Sequence, residues 1–118
     1  MKAENFLSAA NQAIEQKNWD PAASAGIHSI INSCDAMSAK LLSFRHAGAD
    51  HFGALDIVAQ LPLADQDELK RIKKKIARSL DLKNDVEYDD YLIREAPAKQ
   101  IVKDAGTVFD WAAKHIKL

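Results

Sequence analysis

Apolar residues recur along this chain at steps of three and four, the period that gathers them on one face of an α-helix. The clearest stripe is Ile27, Ile30, Ile31, Cys34, Met37 and Leu41, within a run from Pro21 to about His46. Asp20 is expected to cap this helix by accepting from the free N–H groups of its first turn. Pro21 suits the first helical position, where its missing N–H costs nothing. Gly48 is expected to end the helix in the left-handed conformation. A second line, Gly26, Ser29, Ser33 and Ala36, is small enough to admit another helix at close range.

The other elements follow from the same period. A helix from Ala3 to about Lys17 should bury Phe6, Ala10, Ala13 and Ile14, with Asn18 and Trp19 in the turn after it. A short helix from about His51 to Leu61, capped by Asp50, carries a weak stripe of Leu55, Val58 and Ala59 and stops at Pro62. Asp65 is placed to cap a further helix, with Asp67 and Glu68 in its first turn, where acids suit the positive end of the helix dipole. Its stripe is Leu69, Ile72, Ile76 and Leu80. The last helix, about Glu95 to Lys117, carries Ile101, Val102, Ala105, Val108, Phe109, Ala112 and Ile116, and tolerates Pro97 only in its first turn. Period-two alternation is nowhere sustained. The pattern predicts an all-α fold, an antiparallel up-and-down bundle of four main helices with one short extra helix, as a single domain over residues 1–118.

Composition narrows the classes. A hydrophobic share of 47% with 28% charged residues belongs to an ordinary soluble domain, neither disordered nor membrane-embedded. No apolar run approaches the roughly 20 residues that a spanning helix needs, and the opening MKAENFLSAANQ lacks the profile of a signal peptide. Cys34, the single cysteine, cannot form an internal disulfide and falls on an apolar stripe. A core role and a cytoplasmic, membrane-free protein are expected.

Net charge of −1 conceals an uneven distribution: six of the nine residues from Lys70 to Arg78 are basic, while Asp81 to Glu95 holds six acids against two basic residues. The run KRIKKKIAR keeps Lys70, Arg71, Lys73, Lys74, Lys75 and Arg78 off the apolar stripe, a face that suits phosphates. The alternative is a solvated face paired along its own helix with Asp67, Glu68 and Asp81. The corner FRHAGADH brings Arg45, His46, Asp50 and His51 together, a cation, two general bases and a carboxylate in eight residues. His28, Asn32 and Asp35 form a polar stripe beside the apolar one, read either as a structural cluster or as a base with its orienting partners. Trp111, beside Thr107 and Lys114, is expected at a bundle edge or an interface. No metal-ligand spacing, glycine phosphate loop or serine-nucleophile motif is present, and no cofactor is expected.

The order of these parts, AGIHSIINSCDAM in the long helix, a GADH corner, KNDVEYDD and a last alanine-rich helix AKQIVKDAGTVFDWAAK, resembles the HEPN superfamily of small helical domains. The similarity is to the short stand-alone bacterial and archaeal members. It implies a homodimer, and either a metal-independent ribonuclease toxin partnered with a nucleotidyltransferase antitoxin or a domain that binds nucleotide or RNA without cutting. The family's catalytic motif is an arginine and a polar residue, with a histidine four to six residues on, near the start of the last helix. The matching stretch here is Lys83, Asn84, Asp85, Val86, Glu87 and Tyr88, with lysine for the arginine and tyrosine for the histidine. A tyrosine of pKa about 10 is a poor base at neutral pH, and lysine lacks the fork that clamps a phosphate. Arg45 and His51 stand at a similar spacing but outside the family's motif position.

The expectation is therefore non-catalytic binding of a nucleotide, an RNA or a partner protein. Lys83, Asn84, Tyr88, His28, Asp35, Lys70, Lys74 and Arg78 are the binding residues it names. A variant ribonuclease built on Arg45, His51 and His28, and a plain scaffold module, are the alternatives.

Overall fold

A computed structural model describes residues 2–41, 58, 59, 61–63, 65–83 and 93–116. The described chain holds four long helices: α1 (Lys2–Glu15), α2 (Trp19–Leu41), α3 (Gln66–Asp81) and α4 (Glu95–Ile116). The end of the long helix beyond Leu41, Gly48, and most of the predicted short helix lie outside the described residues. Of that short helix, residues 58 and 59 are helical; Val58 and Leu61 are buried in the main core, whereas Ala59 is exposed.

α1 and α2 are joined by a tight corner. The Asn18 N–H donates to the Ala13 carbonyl (2.8 Å) and the Lys17 N–H to the Ile14 carbonyl (3.0 Å), the paired bonds of a Schellman stop, with Lys17 in the left-handed region at φ 59°. A side chain there is strained, and glycine is not. Lys17→Gly is therefore expected to raise stability by about 0.5–1 kcal/mol in urea unfolding, the relief of strain exceeding the extra entropy of an unfolded glycine. Asn18 also begins α2, since its carbonyl accepts from the Ala22 N–H at 3.0 Å.

This start corrects the sequence reading. Trp19 and Asp20 are already helical, and Pro21 sits within the first turn, whose N–H groups have no helical acceptor in any case. Asp20 does not cap its own helix. Its Oδ1 accepts from the Ile93 N–H at 2.6 Å, fixing the approach to α4 against the start of α2. α3 starts as the sequence predicts, with Asp65 Oδ1 accepting from the Glu68 N–H at 2.9 Å.

Directions follow from the contacts. Ser29 Oγ of α2 donates to the Ala3 carbonyl of α1 at 2.8 Å, so α1 and α2 are antiparallel; Arg78 meets Asp104 while Glu68 meets Lys114, so α3 and α4 are antiparallel too. α2 and α4 run parallel, because Asp20 faces Ile93 and Gly26 faces Ile101. In an up-and-down bundle these two are the diagonal pair, yet here their contact is as extensive as that between α1 and α2, while no Cα of α1 comes within 8 Å of α3. The bundle is thus flattened along one diagonal. Gly26 is what lets α2 approach α4: a Cβ there would stand 2.9 Å from Ile101 Cγ2.

The α2 stripe of Ile27, Ile30, Ile31, Cys34 and Met37 and the α3 stripe of Leu69, Ile72, Ile76 and Leu80 are buried in one core, together with Ile101, Val108, Trp111 and Ala112 of α4. Cys34 is 2% exposed, and burial, helped by the neighbouring Asp35 charge, pushes its thiol up to about 12. Such a thiol has almost no thiolate at neutral pH and is no nucleophile. α1 packs through alanines, with Ala10 and Ala13 against Ala22 and Val102. No helix among the described residues is long and apolar enough to cross a membrane.

Candidate functional site

The polar chemistry of the described chain concentrates where α3 lies against α4. On the solvent side of α3, Lys70, Arg71 and Lys74 are exposed and Lys73 is half-buried. Among the described residues none of these four has an acid within ion-pair distance, and neither Asp67 nor Asp81 holds a cation. The pairing along the helix that would make this a self-neutralised face is not formed. The acid that does pair, Glu68, reaches across to α4, where Lys114 Nζ donates to its Oε2 at 2.7 Å and His115 Nε2 lies 3.0 Å from its Oε1.

These hydrogen bonds, that from Lys114 foremost, hold the Glu68 carboxyl below its ordinary value of 4.5. A depressed folded value means that the clasp contributes its full stability above pH 4.5 and loses it as pH falls through the lower folded value. Glu68→Gln is accordingly expected to flatten the acid limb of a stability–pH curve and to leave the neutral-to-alkaline limb parallel to that of the parent, as followed by urea unfolding.

Arg78 behaves differently from the rest of the basic run. It donates from Nε (3.1 Å) and from Nη2 (2.9 and 2.8 Å) to the carboxylate of Asp104, which also accepts from Gln100 Nε2 at 3.0 Å. Lys75 Nζ stands 3.7 Å from the same carboxylate. The Asp104 side chain is 1% exposed and that of Arg78 46% exposed, so the pair reaches from the helix seam to the surface. Arg78 is a strut between α3 and α4, and the open cations are those before it.

The other sequence candidates are dispersed. His28 stacks on Phe6 of α1, with ring centroids 5.3 Å apart and planes at 29°. With Asn32, whose Nδ2 donates to the His28 carbonyl at 2.7 Å, it lines a groove of about 500 Å³ shared with Lys2, Asn5, Phe6 and Ala9. Asp35 is half-buried on α2, and the Asp35 carbonyl accepts from Ser38 Oγ at 3.0 Å. Lys83 is 6% exposed and does not extend the open face of α3. Asn84 and Tyr88 of the motif, and Arg45 and His51 of the corner, lie outside the described residues. Among the described residues no three of His, Cys, Asp and Glu come together as a metal site would require.

Two residues of this seam escape sequence reasoning. Asp104 reads as one of several charges on α4, although Ile101, Ala105 and Val108 surround it at helical spacing, the one signal that it turns inward. Trp111, expected at an edge, is 4% exposed, with the ring of His115 at 6.0 Å and 69°. The reason is that α4 packs against all three other helices, so the inward line through Ile101 and Val108 also takes in Asp104 and Trp111, which the stripe read from the sequence leaves outside.

No family model matches the chain, and no curated protein matches it.

Proposed function

We propose that the chain is a HEPN-like helical domain that binds single-stranded RNA, or a nucleotide, through its phosphates along the outer face of α3 without cutting it. The observation that supports this reading is the row of exposed cations Lys70, Arg71 and Lys74, none of them held by an acid among the described residues. An unpaired row of ammonium and guanidinium groups binds a polyanion by releasing its counterions and reads no sequence. The motif replacements at Lys83 and Tyr88 remove the fork and the neutral-pH base that cleavage of the family's kind uses. The same reading carries homodimer formation and a nucleotidyltransferase or other antitoxin protein as partner.

Titration of labelled oligouridylate at a series of salt concentrations tests it. Affinity should fall steeply with salt, and Lys70→Glu with Lys74→Glu should reduce the slope of log affinity against log salt by about 1.4, for two lost single-strand phosphate contacts. The RNA should remain intact in EDTA. Absence of binding at low salt would leave a scaffold module, and metal-independent degradation abolished by Lys83→Ala would make the domain a ribonuclease.

A further inference from the structure

A groove of about 370 Å³ runs between α1 and α4, its apolar lining made by Leu7, Ile14, Val102 and Gly106. Gly106 is the unusual member. It stands in the middle of a 22-residue helix, where glycine is less favourable than alanine. A Cβ placed on it would meet nothing within 4 Å among the described residues. At Gly26 the missing side chain admits a neighbouring helix of the same chain, and at Gly106 internal packing makes no such demand. Two charges flank this position on the same face of α4, Lys103 a turn before it and Asp110 a turn after it, both exposed and both lining the groove. Neither side chain has an ion-pair or hydrogen-bond partner among the described residues, whereas Lys99, a turn earlier, is held by Glu95 at 3.0 Å.

We infer that two copies of the chain pair through this groove, α4 of one copy crossing α4 of the other antiparallel at Gly106. The charges select both the occupant and its direction. Lys103 and Asp110 lie at nearly equal distances on either side of Gly106. A two-fold axis beside Gly106 therefore brings Lys103 of each copy opposite Asp110 of the other, twice per dimer. A parallel pairing would set lysine against lysine and aspartate against aspartate, an arrangement that like-charge repulsion disfavours. Glycine at the crossing point lets the two helix backbones approach closely. Leu7 and Ile14, half-buried in the single copy, supply apolar surface beside the crossing. The inference rests on the homodimer of the reading above and gives it a face; it uses none of the cations on the outer side of α3.

Sedimentation equilibrium of the full chain over a wide range of protein concentration tests the pairing. The chain should pass from one copy to two as concentration rises. Gly106→Leu should weaken association about tenfold or more and leave helicity by circular dichroism unchanged, since the space around its Cβ is open in the single copy. Lys103→Asp and Asp110→Lys should each weaken it about tenfold, because either change turns both cross-pairs of the dimer into like-charge contacts. The double variant Lys103→Asp with Asp110→Lys should associate as the parent does. An equimolar mixture of the two single variants should associate as well, since each then meets its opposite charge in the other. A chain that stays single at every concentration overturns the inference. So does a dimer that Gly106→Leu leaves intact, or one that neither the double variant nor the mixture restores. Salt-dependent RNA binding by a chain that does not pair leaves the outer face of α3 standing without this interface. Pairing with this charge dependence in protein that binds no RNA supports the interface and overturns the outer-face reading.

Discussion

Arg78→Ala should destabilise the fold by about 2–3 kcal/mol, more than Asp104→Ala, which should cost about 1–2 kcal/mol. The asymmetry comes from unequal burial of the partners. Removing Arg78 leaves a carboxylate that is 1% exposed, with Gln100 and a distant Lys75 as its remaining support. Removing Asp104 frees a guanidinium that is already 46% exposed and turns into water at small cost. Breaking a fully buried pair costs about 3–5 kcal/mol, and the partial exposure of Arg78 brings the figure down. Alanine is also a better helix former than aspartate by roughly half a kcal/mol, which offsets part of the second change. Urea unfolding of both single variants and the double variant checks the order. The double variant should lose less than the sum of the singles, because either change alone removes the whole interaction. If Asp104→Ala proved the costlier change, Asp104 would be holding something other than Arg78.

The same pair shows what was legible in the sequence. Burial of the α2 and α3 stripes follows from local spacing, so Ile27 to Met37 and Leu69 to Leu80 are found where periodicity puts them. The Asp65 cap is equally local, its donor lying three residues away. The ties that orient the helices are not local. Arg78 reaches Asp104 across 26 positions, Glu68 reaches Lys114 across 46, and Asp20 reaches Ile93 across 73. A periodicity argument assigns each of these charges to a face, and it has no means of telling which face meets which. For that reason Asp20 reads as a cap, Trp111 as an edge residue and Arg78 as one more open cation. The basic run itself was legible as a candidate site. Its division into the open Lys70, Arg71 and Lys74 and the committed Arg78 depends on the position of α4.

Gly26→Leu should cost about 3 kcal/mol or more, because it forces apart the two helices whose contact defines the flattened diagonal. At Gly26 a Cβ would meet Ile101 Cγ2 at 2.9 Å, with the Ile101 carbonyl oxygen and Val102 Cα each at 3.6 Å behind it. Cγ2 belongs to a β-branched side chain with one strongly preferred rotamer in a helix, so it yields only if α4 moves. Alanine is the informative smaller step. It gains about 1 kcal/mol of helix propensity over glycine, set against overpacking of about 1–3 kcal/mol. Gly26→Ala should therefore be mildly destabilising, by about 1 kcal/mol. Ile101→Ala removes the obstructing methyl and opens a cavity costing about 2–5 kcal/mol. In that background Gly26→Ala should change sign and stabilise, since the new methyl enters space that Ile101 vacates. Chemical unfolding of the four proteins of this cycle gives the coupling directly. A cost for Gly26→Ala that is the same in both backgrounds would mean that the close approach of α2 and α4 does not depend on the missing side chain.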